Sequence, residues 1–120
     1  MKQVICTIAS GAATGNVTGS AINVGQLVSA SFQIVTGDAA VAGTVKIQMS
    51  NDNPNSSGHG ITSSFVPTNW SDIPNATSTV TAGVGAPIVI SNMAFAFIRA
   101  VFTRSAGTTA MAVNMNGLSV

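Results

Sequence analysis

The sequence predicts an all-β fold, an antiparallel β-sandwich of jelly-roll type with about eight short strands. Three observations carry that prediction. Val, Ile, Thr, Ser, Asn and Gly dominate, whereas glutamate is absent and leucine occurs only at Leu27 and Leu118. Such a composition suits strands and turns and disfavours helices. Short runs in which apolar and polar residues alternate recur along the chain, which is the period of a strand with one wet face. Gly, Asn, Asp or Pro separates most of these runs, and no helical stretch is long enough to cross between parallel strands.

Taken in order, the first element is the run at 2–9, with Val4-Ile5-Cys6-Thr7-Ile8 at its centre. A weaker one follows at 17–24. Residues 26–35 form a clearer strand, with Val28, Ala30, Phe32 and Ile34 on one face and Ser29, Ser31 and Gln33 on the other. The clearest is 44–49, where Val45, Ile47 and Met49 point inward and Thr44, Lys46 and Gln48 point to water. Residues 77–82 and 87–91 are further short candidates. In 95–103, Phe95, Phe97 and Val101 alternate with Ala96, Ile98, Ala100 and Phe102, so both faces are apolar. A strand of that kind is central and has a second surface to cover. The last candidate is 109–116. Asn53-Pro54, Gly83-Val84-Gly85 and Ala106-Gly107 mark sharp breaks. The longest irregular stretch, 51–69, is rich in Ser, Gly and Asn, and loops of that length are usually functional or mobile. Nothing reads as a linker, so residues 1–120 are expected to form one domain.

Charge is the most unusual property. Lys2, Lys46, Arg99 and Arg104 stand against Asp38, Asp52 and Asp72, and charged residues make up 6% of the chain, compared with about 25% in ordinary soluble domains. A net charge of +1 provides little repulsion between copies and favours association. Four scattered cations do not form the basic patch that nucleic acid requires, so no nucleic-acid partner is expected. The apolar residues are dispersed, and none of their runs approaches the ~20 of a membrane span. The apolar stretch after Lys2 is broken by Gln3 and Thr7, which makes a poor secretion signal. Cys6 stands alone, which excludes an internal disulfide and accords with a reducing compartment. Within its apolar run, it reads as a small buried hydrophobe.

The inventory for catalysis is poor, and no enzyme is expected. His59 is the only histidine and lies in Ser56-Ser57-Gly58-His59-Gly60, the setting of a solvated loop residue. A Ser-His-Asp arrangement with Asp52 or Asp72 is formally available, but there is no Gly-x-Ser-x-Gly elbow. One Cys and one His exclude a zinc site. Asn51-Asp52-Asn53-Pro54-Asn55 offers oxygen ligands at calcium-like spacing without the acidic positions of an EF-hand loop. A turn held by Asn and Asp side chains accounts for the same residues. No metal or cofactor is therefore expected. Trp70 is the single tryptophan. It could stack on a sugar ring, but the stronger expectation is a core anchor packed near the 95–102 strand. Arg99 interrupts an apolar strand and needs a partner, with Asp52 and Asp72 as the natural ones. Asn51, Asp52, Asn53, His59 and Trp70 are the candidate binding-loop residues.

Gly43-Thr44-Val45-Lys46-Ile47-Gln48-Met49-Ser50-Asn51-Asp52-Asn53-Pro54 is followed by Asn69-Trp70-Ser71-Asp72-Ile73-Pro74. A polar strand at 76–82 comes next, then Phe97-Ile98-Arg99-Ala100-Val101-Phe102-Thr103-Arg104. This order resembles the small β-sandwich virion proteins of tailed bacteriophages. In those, a strand ending in Ser-Asn-Asp precedes a Trp-x-Asp-Ile-Pro segment and an aromatic-rich Arg-x-Val strand. The resemblance covers roughly residues 43–117 and implies a structural or binding role, with no catalytic residues to transfer.

The expected function is capsid decoration: a cement protein that binds the assembled head as a homo-oligomer. Its partners would be the major capsid protein lattice and further copies of itself, with a trimer favoured over a dimer. Its place would be the capsid surface of the virion, after synthesis in the host cytoplasm. The N-terminal strands, poor in charge, would add to a neighbour's sheet edge. The alternative is a tail- or fibre-associated module that recognises a host glycan through Trp70 and the 51–69 loop.

Overall fold

Alternating β-branched residues organise the chain into two antiparallel sheets packed face to face. The computed structural model describes residues 2–12, 15–37, 40–52, 65–107 and 110–119. These contain ten strands: β1 (Lys2–Ala12), β2 (Val17–Thr18), β3 (Ile22–Asn23), β4 (Leu27–Thr36), β5 (Ala42–Ser50), β6 (Ser71–Thr81), β7 (Val84–Gly85), β8 (Ile88–Ile90), β9 (Phe97–Ala106) and β10 (Ala110–Ser119). One sheet runs β1-β10-β4-β8. The other runs β2-β9-β5-β6-β7, with β3 also paired to β9. All pairings are antiparallel. The all-β sandwich read from the sequence is the fold observed.

The core forms where the two inner faces meet. Ala30, Phe32 and Ile34 of β4 and Met111, Val113 and Met115 of β10 come from one sheet; Val45 and Ile47 of β5 and Ile98, Ala100 and Phe102 of β9 come from the other. Lys46 and Gln48 take the outward positions of β5, as the alternation requires. Gly43 of β5 has no room for a side chain: a Cβ would collide with the Thr103 carbonyl and sit 2.7 Å from the Phe102 ring.

Bulges alter the expected faces in two places. At the start of β4 the register slips between Leu118 and Ser119. Leu27 is therefore buried and Val28 is turned out, 39% exposed, so Val28 does not share the inner face with Ala30, Phe32 and Ile34. An extra residue opposes one on the partner strand, which is how a bulge changes facing. In β1 the slip falls between Thr7 and Ala9, and Ile8 and Ala9 are both buried in succession.

Short strands close most of the sheet edges. The turn at Ala82 and Gly83, both with positive φ, leads from β6 into β7. The chain then crosses from the edge of one sheet, through β7, to the edge of the other, through β8. Ser78 donates its hydroxyl to the Ala86 carbonyl (2.7 Å) and Thr36 donates to the Gly83 carbonyl (2.8 Å), which ties this crossing to both edges. On the opposite side, β2 and β3 pair with β9, and Gly19 between them packs against the backbone of Ile8 in β1.

Candidate binding surfaces

Two surfaces stand out, one on each sheet. On the six-stranded sheet, the register sets Gln48 of β5 between Asp72 of β6 and Arg99 of β9. Gln48 Nε2 donates to Asp72 Oδ1 (2.8 Å), and Arg99 Nε donates to Gln48 Oε1 (2.8 Å). Lys46 Nζ reaches Asp72 Oδ2 at 3.2 Å. The Arg99 guanidinium lies over the Trp70 ring, 4.4 Å from its centroid. Arg99 is thus joined to Asp72 through an intervening amide, and Asp52 takes no part. The Lys46–Asp72 pair is about half exposed, so water screens it and it contributes little stability.

Trp70 packs near the expected strand but not as a core anchor. It is half-buried on the outer side of β9 and stays outside the core cluster. With Phe65, Val66, Pro67, Ser20 and Arg99 it lines a cleft of about 410 Å³. The Phe65 ring packs on Phe97, with centroids 5.7 Å apart. The 65–70 segment therefore covers the second apolar surface that the sequence assigned to this strand.

Asp52 holds that segment down. Its Oδ2 accepts the backbone N–H groups of Thr68 (2.7 Å) and Asn69 (3.0 Å), and its Oδ1 accepts from Asn69 Nδ2 (3.0 Å). Asn51 Oδ1 accepts the N–H of Ala96 (3.0 Å). These oxygens, considered for calcium, bind amide donors from distant parts of the chain. Asn53 and His59 lie outside the described residues. Among the described residues, no three His, Cys, Asp or Glu side chains gather in one place.

Hydrogen bonds hold both carboxyls below the usual carboxylate range. For Asp52 the main cause is the Asn69 backbone N–H, then that of Thr68; for Asp72 it is the Gln48 side chain, then Lys46. A lowered folded pKa stabilises the fold above the unfolded pKa of about 3.9, and that contribution is lost as pH falls through the folded pKa. The Thr68 and Asn69 amide resonances are therefore expected to titrate together below about pH 3.9, and Asp52→Asn should remove the transition. Amides that titrate at the ordinary aspartate value would mean that Asp52 does not hold the segment.

The four-stranded sheet differs in kind. Its outward rows, read across β1, β10, β4 and β8, are Gln3–Leu118–Ser29, Ile5–Asn116–Ser31–Val89 and Thr7–Asn114–Gln33. None of these residues is charged. Ile5 and Val89 are 71% and 68% exposed. A groove of about 710 Å³ crosses this face, with Ile5, Thr7, Gln33, Pro87 and Asn114 among its walls. Lys2 belongs to the opposite side of β1, where it lines a separate cleft with Val4, Ile22 and Leu27. Lys46, Asp72, Arg99 and Arg104 all lie on the other sheet. Sequence reasoning missed this face. The available signal was the run of uncharged residues at outward positions of 2–9, 26–35 and 109–116.

No protein-family model matches the chain, and none of the curated proteins matches it in sequence. A solved structure is similar in fold. The SPBc2 prophage-derived protein YomS aligns with 98% of this chain and 94% of its own, at a TM-score of 0.53 and 14% identity. The two share a fold. The likeness runs along nearly the whole of both chains, so it includes the first 42 residues, which the sequence resemblance left out.

Proposed function

We propose that this chain is a virion structural protein of a tailed phage, and that it decorates the assembled head. The observation that carries the reading is the uncharged outer face of the four-stranded sheet. Charged groups resist the desolvation that docking imposes, and interface cores are correspondingly depleted in them. Four strands about 4.8 Å apart, from three to eleven residues long, present roughly 500 Å². A standard interface takes about 800 Å² per partner, so one copy alone would bind a lattice weakly and several linked copies would bind well. The fold shared with a prophage-derived protein and the resemblance to phage virion proteins support a phage setting. The chain acts by binding and not by catalysis.

A specific observation favours a second reading, a tail-associated module that recognises a host glycan. Trp70 and Phe65 border a cleft large enough for a sugar, although Arg99 already covers one face of the Trp70 ring. A single experiment separates the two. The labelled chain is mixed with purified heads of the encoding phage, alongside Ser31→Lys/Asn116→Lys and Trp70→Ala variants. Decoration predicts cosedimentation with heads that the double lysine variant loses and Trp70→Ala keeps. Failure to bind heads, together with glycan binding that Trp70→Ala abolishes, would establish the second reading in its place.

A further inference from the structure

We infer that the first half of β1 is a pairing edge for a second copy of this chain, joined about a two-fold axis into a continuous eight-stranded sheet. The inference deepens the assembly part of the proposed function, but it does not depend on the head being the target.

An exposed sheet edge carries unpaired N–H and C=O groups and templates pairing unless it is shortened, interrupted or covered. The other edges here are treated in those ways. β2, β3 and β7 are two residues long and β8 is three. β6 carries Pro74 and, at Asn75, a positive φ. The crossing from β7 to β8 ties down the edges of β6 and β4. In β1, the Ile8 end lies under Gly19, and Gly11 faces Val17. Lys2-Gln3-Val4-Ile5-Cys6-Thr7 has no proline and no glycine, and among the described residues no strand pairs with its side away from β10.

This run complements itself. In an antiparallel pair, opposed residues point to the same face, and a slip of one residue turns every side chain over. Outward residues of one copy must therefore meet outward residues of the other. The register that opposes Ile5 to Ile5 satisfies this, with Gln3 beside Thr7 and Val4 beside Cys6. It covers Ile5, which is 71% exposed, at the centre. It also keeps the two Lys2 side chains at opposite ends of the pairing, so no like charges face each other. The contact is isologous and closes at two copies, whereas the sequence alone favours three. Both uncharged faces then lie on one side of the joined sheet and together offer roughly 1,000 Å², enough for a standard interface.

The test uses the full chain, measured by size-exclusion chromatography with light scattering. The expected mass is twice that of the chain. Ile5→Lys should raise the dissociation constant about tenfold or more, since it sets two like charges directly opposite each other. Its melting temperature under monomeric conditions should stay unchanged, because the side chain is already exposed. In a Cys6→Ser background, Ile5→Cys should cross-link between copies under oxidation. A monomer at every concentration would overturn the inference, as would an oligomer that Ile5→Lys leaves intact. Cross-linking at Val4→Cys in place of Ile5→Cys would overturn the register. A dimer that behaves as expected but ignores phage heads would leave this inference standing and remove the decoration reading.

Discussion

Phe102→Ala is expected to lower the unfolding free energy by about 3–5 kcal/mol, the range for deleting a large buried aromatic. Phe102 is 1% exposed on the inner face of β9 and belongs to the single core cluster. The space left would lie between two sheets that are each held by their own hydrogen-bond ladders, so neither can collapse into it. Trp70→Ala is expected to cost less, about 1–2 kcal/mol. The indole is larger, but it is half-buried on the outside of the same strand and loses mainly its contact with Arg99. Denaturant unfolding of the two variants measures the difference directly. Equal losses would mean that the 65–70 segment is part of the core and not a cover over it.

Gly43→Val should be nearly as damaging, at about 3 kcal/mol. The obstacle is mainly backbone: the new Cβ would meet the Thr103 carbonyl of the neighbouring strand as well as the Phe102 ring. A side chain can rotate away, but a carbonyl held in the β5–β9 ladder cannot move without breaking that ladder. A loss of this size corresponds to a fall in melting temperature of about 10–20 °C. Gly15→Ala is the matched control, because nothing lies within 4 Å of the added carbon. Its melting temperature should not move.

Alternation in the sequence located the strands well because it reports a local property, which side of the pleat a residue takes. The eight runs correspond to β1, the β2–β3 pair, β4, β5, β6, β8, β9 and β10. β7 escaped notice because it lies inside Gly83-Val84-Gly85, which reads only as a turn. Alternation fails where a bulge adds a residue. The count through 28, 30, 32 and 34 is unbroken in the sequence and points Val28 inward, yet the slip at Leu118/Ser119 is a property of the pairing.

The surfaces were harder to read for the same reason. Arg99 clearly needed a polar partner, and Asp72 was one of two candidates. That Gln48 stands between them follows only from the registers of β5 with β6 and β9. Asp52 looked like part of a local turn, but it reaches 16 and 17 residues ahead to Thr68 and Asn69. The uncharged face required knowing that β1 lies beside β10, and β10 beside β4. Size and scarcity alone point Trp70 to the core. Neither property indicates which side of β9 the 65–70 segment crosses.

The position of β10 has a consequence for how the protein is made. It is the last of the ten strands among the described residues, yet it sits inside its sheet between β1 and β4. Those two are separated from it by most of the sequence, and neither has the other as a neighbour. During translation the four-stranded sheet therefore has a missing centre until Ala110–Ser119 has left the ribosome. Up to that moment the inner residues of β1 and β4, among them Ile8, Phe32 and Ile34, have no strand to join them. Folding of this half waits for β10 and is dominated by non-local pairing, which places it in the slow range of about milliseconds to seconds. Nascent chains stalled before residue 110 should remain sensitive to protease across both halves of the sheet, while emergence of Ala110–Ser119 should bring protection to both at once.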